Sequence, residues 1–245
     1  MRKIIALLLV FTVCMTSGAT EMLAQTEDSG FQVLKKYFID GGWQFMSLVL
    51  ICLILGLAFC IERIITLNIA TTNTDKLLAQ IDENLKSGNI NGAMEVCKST
   101  SGPTASVLYE GLRNAGGGPA AVEKAIVSYG SVQMGLLEKG LVWISLFIAI
   151  APMLGFMGTV IGMIGAFEKI ATVGELSPAV VADGIKVALL TTVFGLVTAI
   201  ILQIFYNYIV SKVDSIVNKM EDASIALVDV MATNNVFKPN LKGGL

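Results

Sequence analysis

Four stretches of the chain carry no Asp, Glu, Lys or Arg, and the residues between them are polar and rich in helix formers. The first stretch, Ile4 to Thr20, follows Arg2-Lys3 and is succeeded by small residues at Ser17-Gly18-Ala19 and again at Ala24. A basic start, a short apolar run and a small-residue site predict a secretory signal peptide over residues 1–24, with Ala19 or Ala24 as the last residue removed; the alternative is an uncleaved signal anchor. The other three stretches are Gly41–Ile61, Leu141–Phe167 and Val187–Ser211. About 30 Å of hydrocarbon at 1.5 Å per residue needs about 20 residues, so each is long enough to cross a bilayer as a helix. The pattern predicts an all-α membrane protein with three transmembrane helices.

Lysine and arginine counts orient it. Residues 62–140 hold seven (Arg63, Lys76, Lys86, Lys98, Arg113, Lys124 and Lys139) and residues 211–245 hold four (Lys212, Lys219, Lys238 and Lys242). The opposite flanks hold Lys35, Lys36, Lys169 and Lys186. The positive-inside rule therefore predicts N-out, C-in, with long cytoplasmic helical extensions. An exported N-terminus agrees. The expected organisation is a periplasmic amphipathic segment at 25–43, spans at 44–66, 141–167 and 184–210, a cytoplasmic helical insert at 67–140, a periplasmic loop at 168–183 and a cytoplasmic tail at 211–245. Phe31, Leu34, Tyr37 and Phe38 form the apolar face of the first of these, beside Lys35-Lys36, as in a helix lying at the membrane surface. In the insert, Leu78, Ile81 and Leu85 define one helix face. Ser87-Gly88-Asn89, Gly102-Pro103 and Gly116-Gly-Gly-Pro119 punctuate the helices that follow.

The second and third spans carry stripes of small residues. Ala151, Gly155, Gly158, Gly162 and Gly165 recur at steps of four and three, with Pro152 beside the first, and the third span repeats the theme with Ala188, Thr192, Gly195 and Ala199. Such stripes let helix backbones approach closely, and they predict a helix-packing and oligomer face. Thr159 borders the first stripe. Thr192 lies on the second, while Thr191 and Thr198 are expected to fall to one side and to bond to their own helix. A threonine on a small, flat face is a candidate for lining a polar path, and Thr159 and Thr192 are the two candidates. Glu62, Arg63 and Lys186 mark membrane boundaries.

Composition narrows the chemistry. There is no histidine, which removes His-based nucleophile pairs, zinc sites and proton shuttles. The four cysteines, Cys14, Cys52, Cys60 and Cys97, form no CxxC pair, and the net charge of −2 supplies no basic nucleic-acid surface. No catalytic residue, metal site or cofactor is expected, and the chain does not read as an enzyme. Nor do the three spans hold a carboxylate. A proton path through the membrane normally needs one, so a partner helix would have to bring the acid.

The run Ile148-Ala-Ile-Ala-Pro-Met-Leu-Gly-Phe-Met-Gly-Thr-Val-Ile-Gly-Met-Ile-Gly-Ala-Phe167 resembles the second-helix signature of the MotA/TolQ/ExbB proton-channel family. Gly184-Ile-Lys-Val-Ala-Leu-Leu-Thr-Thr-Val-Phe-Gly-Leu196 is similar to its third-helix signature. ExbB is the branch most like it. The resemblance implies a homopentamer around an ExbD-like subunit whose helix supplies the membrane aspartate. It also implies a TonB-like protein as the recipient of motion, and Thr159 and Thr192 as pore-facing threonines. Many members of that family carry a glutamate where this chain has Val187, with Lys186 one residue earlier, so the resemblance does not extend to a mechanism that requires the chain's own carboxylate there. Two other readings compete: a TolQ-like subunit serving envelope integrity, and a scaffold that oligomerises in the bilayer without conducting.

Overall fold

The computed structural model describes residues 30–173 and 178–237. The predicted signal peptide, and the side chains of Phe31 and Leu34, lie outside the described part. Among the described residues every regular element is helical. In order these are α1 (Gly30–Asp40), α2 (Trp43–Ala70), α3 (Thr74–Lys86), α4 (Ile90–Ser99), α5 (Pro103–Arg113), a 3₁₀ turn at Ala115–Gly117, α6 (Pro119–Glu138), α7 (Leu141–Val173) and α8 (Pro178–Thr233). Three stretches of helix are long and apolar enough to cross a membrane, within Trp43–Lys86, Pro119–Thr172 and Val181–Thr233. The three predicted spans fall in α2, α7 and α8, and the helices run well past them. α8 is 56 residues long, and only its first half is apolar.

Residues 168–173 and 178–183, read from the sequence as loop, are helical. Glu168-Lys169 and Asp183 end the apolar runs without ending the helices, because a charged side chain at a membrane boundary can reach water from a helical backbone. Hydropathy marks where the bilayer stops, and helix ends need a capping or breaking residue. In the insert those breakers are present. Asn73 and Asn89 cap α3 and α4, their side chains accepting from the backbone N–H groups of Lys76 at 3.1 Å and Gly92 at 2.8 Å. Gly118, at φ +83°, turns the chain so that Pro119 opens α6 with its ring already set for a helix, and Gly102-Pro103 opens α5 the same way.

The chain divides into two compact units. One comprises the described residues up to Leu48 with those of Leu154–Phe194, and the other Val49–Met153 with the described residues from Gly195 onward. The second unit holds two apolar cores. Leu77, Ile81 and Leu85 of α3, Cys97 of α4, Leu108 and Leu112 of α5 and Ile126 of α6 surround Met220, Leu227 and Met231 of α8. Leu77, not Leu78, is the fully buried member of the α3 face, with Leu78 packed at its edge. Cys97 is 2% exposed in this core, and burial pushes its thiol up to about 12. The other core joins Cys60 and Leu67 of α2, Leu137 of α6, Ile144 of α7 and Leu202 and Ile209 of α8. There Gly56 lets the Leu202 side chain approach to where its own Cβ would stand, 2.6 Å from Cδ1.

The boundary pair Glu62-Arg63 is in the same unit. Arg63 is only 8% exposed and holds its neighbour's carboxylate with two bonds, Nε to Oε2 at 2.8 Å and Nη2 to Oε1 at 2.9 Å. Its guanidinium lies against Gly140, where a Cβ would come within 3.3 Å of Nε. A bidentate fork satisfies a charge that is otherwise costly to bury.

Candidate functional site

The candidate site is built on the paired parts of α7 and α8, within the unit formed by Leu154–Phe194 and the residues before Val49. Both segments lack ionisable groups through the apolar run, so contact is made by backbone, small side chains and hydroxyls. Gly155 and Gly158 are buried on α7, and Ala188 and Thr191 on α8. At Gly158 an added methyl would lie 2.7 Å from both Cβ and Oγ1 of Thr191, so the absent side chain is what admits the threonine. A Cβ on Gly162 would come within 3.3 Å of the Ala188 backbone nitrogen and 3.5 Å of the Gly184 carbonyl oxygen, a backbone-to-backbone approach of the kind small residues permit.

The stripes run slightly differently from their sequence reading. Gly165 has nothing within 4 Å of a Cβ built on it, and Ala166, 4% exposed, faces Gly184 instead. Over residues 187–199 of the third span the buried positions are Ala188, Thr191, Gly195 and Thr198, with Thr192 and Ala199 half-buried at the border. Thr191 therefore does not fall to one side; it is 1% exposed and in the contact. Of the remaining packing candidates, Ala151 is fully buried and Pro152 half-buried inside α7, where its ring removes one helical N–H.

The three hydroxyls near this contact are held unequally. Thr191 Oγ1 bonds to the Ala188 carbonyl at 2.8 Å and lies 3.3 Å from the Gly155 carbonyl across the contact. Thr192 Oγ1 reaches the same two carbonyls only at 3.4 Å, near the outer limit for a hydroxyl donor. Thr159 Oγ1 donates to the Phe156 carbonyl at 2.6 Å. Thr159 follows Gly158 and Thr192 follows Thr191, each a rotation of about 100° from a contact residue. In two antiparallel helices the same rotation from the contact line leads to the same side of the pair. Thr159 and Thr192, both half-buried, thus flank one groove edge. The signal for Thr191 was in the sequence: its spacing of three from Ala188 and four from Gly195 matches the stripe as well as that of Thr192.

Beyond this edge the helices present large apolar side chains outward, among them Phe156 at 67%, Leu189 at 62% and Val193 at 56% exposure. These suit lipid or neighbouring helices, not water. Among the described residues no group of three or more metal-ligating side chains comes together. An all-helical membrane subunit with a small-residue contact and hydroxyls at its edge is what the fold and the site define.

Comparison with known proteins gives the family. The sequence profile of the MotA/TolQ/ExbB proton channel family matches residues 99–222, more than half of the chain. A biopolymer transport protein ExbB homolog of Methanothermobacter thermautotrophicus is 32% identical over 169 residues, 69% of this chain and 60% of that protein. Biopolymer transport protein exbB1 of Vibrio cholerae is 44% identical over 64 residues, covering 26% of this chain and 28% of the relative. Biopolymer transport protein ExbB of Salmonella typhimurium is 43% identical over 67 residues, covering 27% and 28%. The chain thus spans three-fifths or less of the length of these relatives. It belongs to the MotA/TolQ/ExbB proton channel family, whose members are channel subunits and not enzymes.

Proposed function

We propose that this chain is the channel-forming stator subunit of a cytoplasmic-membrane motor that uses proton-motive force to energise TonB-dependent transport across an outer membrane. Its ExbB-named relatives, described as biopolymer transport proteins, support that branch over the others. In this reading the chain is oriented N-out and C-in and assembles as a homopentamer. The pentamer encloses an ExbD-like subunit, whose membrane aspartate takes up and releases the proton, and a TonB-like protein receives the motion.

The observation that carries the reading is the placement of Thr159 and Thr192 on one side of a helix pair whose apolar runs contain no Asp, Glu, Lys or Arg. A hydroxyl whose own hydrogen bonds are long, as those of Thr192 are, can hold water or a partner's carboxylate at modest cost. The chain then houses the path and the partner carries the charge. One proton crossing about 100 mV releases about 2.3 kcal/mol, enough to bias a motion whose states differ by little more.

The test is Thr159→Ala and Thr192→Ala, each with membrane expression confirmed. Proton-driven uptake by the complex should fall at least about tenfold in each, the scale of losing a positioned polar group from a proton-transfer path. Full uptake in both variants would remove the pore role from these residues.

A further inference from the structure

At the α1 end of the first unit a charged pair joins two segments that are 146 residues apart. Lys186 Nζ donates to Asp40 Oδ2 at 2.5 Å. Asp40 is the last residue of α1 and its only acid, and Lys186 stands on α8 one residue before Val187. A second contact reinforces the same junction, Phe38 meeting Phe194 edge to face with ring centroids 6.2 Å apart. The link from α1 into α2 is Gly41-Gly42, with Gly42 at φ +81°, a conformation that only glycine adopts without strain. Such a joint leaves the direction of α1 to be set by the contacts α1 makes.

Beside the glycine link, next in the chain to Asp40 and to Lys186, lies a pocket of about 210 Å³. Gly42, Trp43 and Gln44 line one side, and Gly158, Val187 and Thr191 the other. That is room for several water molecules. Thr191 and Gln44 are among the residues that line it, and Thr191 itself is only 1% exposed.

We infer that Asp40 and Lys186 form a latch that holds α1 and its glycine joint at this cavity, and so set how readily water enters beside Thr191. The pair suits a latch. Its side chains are 27% and 47% exposed, and ion pairs this wet are weak, so the closed arrangement is favoured without being locked. Neutralising each other, the two charges also spare the end of the third span an unpaired ammonium. The inference goes beyond the proton-channel reading and stands whether or not Thr159 and Thr192 carry protons, because its readout is access and not transport.

The measurement is the rate at which a charged methanethiosulfonate reagent labels Val187→Cys in the full-length protein in lipid nanodiscs, with the labelled peptide identified by mass. Val187 lines the cavity and is half-buried. With the latch intact, labelling should be slow. Asp40→Asn or Lys186→Gln should each speed it about three- to fivefold, the change in opening that loss of one exposed ion pair produces. Exchanging the charges, Asp40→Lys with Lys186→Asp, should restore the slow rate, which a merely local packing defect would not do. Unchanged rates in the single variants, or fast labelling in the exchanged pair, would overturn the latch.

Discussion

At Thr191 and Thr192 two adjacent identical side chains meet different surroundings. Thr191 is packed against Gly158, its hydroxyl within reach of a carbonyl on each side of the contact, and Thr192 stands half-buried with only long bonds. A rotation of one residue separates a packing threonine from one free to interact. The glycine that makes room for Thr191 should be intolerant of any side chain. Gly158→Ala places a methyl within 2.7 Å of Thr191, and overpacking of that kind costs about 1–3 kcal/mol. Gly165→Ala meets nothing within 4 Å in the chain itself and should be neutral or slightly stabilising, since alanine is the better helix former. Thermal unfolding of the purified variants, followed by helical circular dichroism, separates the two: a clear drop in midpoint for Gly158→Ala only.

Among the elements, the short insert helices and the end of α8 share one core, and its tightness can be read chemically at Cys97. The thiol is raised to about 12 by burial alone, so between pH 7 and pH 9 it is protonated and out of reach of solvent. Iodoacetamide at pH 8 should leave the Cys97 peptide unmodified in the folded protein and modify it fully in denaturant. Appreciable modification in the folded state would show that α3, α5 and α8 do not close over α4 as described. The breaks between these helices were legible from the Gly-Pro and Asn positions, because a cap or a φ constraint is a local property. The face of α3 was legible only to within one residue, since Leu77 and Leu78 are both leucines and packing in the shared core selects between them. The bounds of α7 and α8 were not legible from hydropathy, which reports the edge of the bilayer and not the end of a helix.

For the whole molecule, the exposed apolar faces of the spans and the Gly158–Gly162 contact make a joint prediction about assembly. Gly158→Leu or Gly162→Leu would force α7 and α8 apart and distort the surface offered to neighbouring subunits. Native mass spectrometry of the purified complex should show a pentamer for the unaltered chain and lower species for either leucine variant. An intact pentamer in both would mean that this contact does not shape the assembly interface. Two of the charges at the span ends are paired: Arg63 with Glu62 next to it, and Lys186 with Asp40 far from it in sequence.

By itself the sequence determined that the protein is helical and membrane-spanning, that three segments are long and apolar enough to cross, and that no Asp, Glu, Lys or Arg stands within their apolar runs. These follow from composition along the chain, because a bilayer excludes charge and an unpaired backbone whatever the fold. It also carried the family signatures, which are runs of particular residues and need no third dimension. Only the tertiary structure decided which threonine is packed and which is free, that Ala166 and not Gly165 faces Gly184, and that Asp40 is the partner of Lys186. Those are choices between near-equivalent residues, or between residues far apart in the chain. They are settled by the rotation of one helix against another, which a linear pattern with a period near 3.6 leaves uncertain by about one residue.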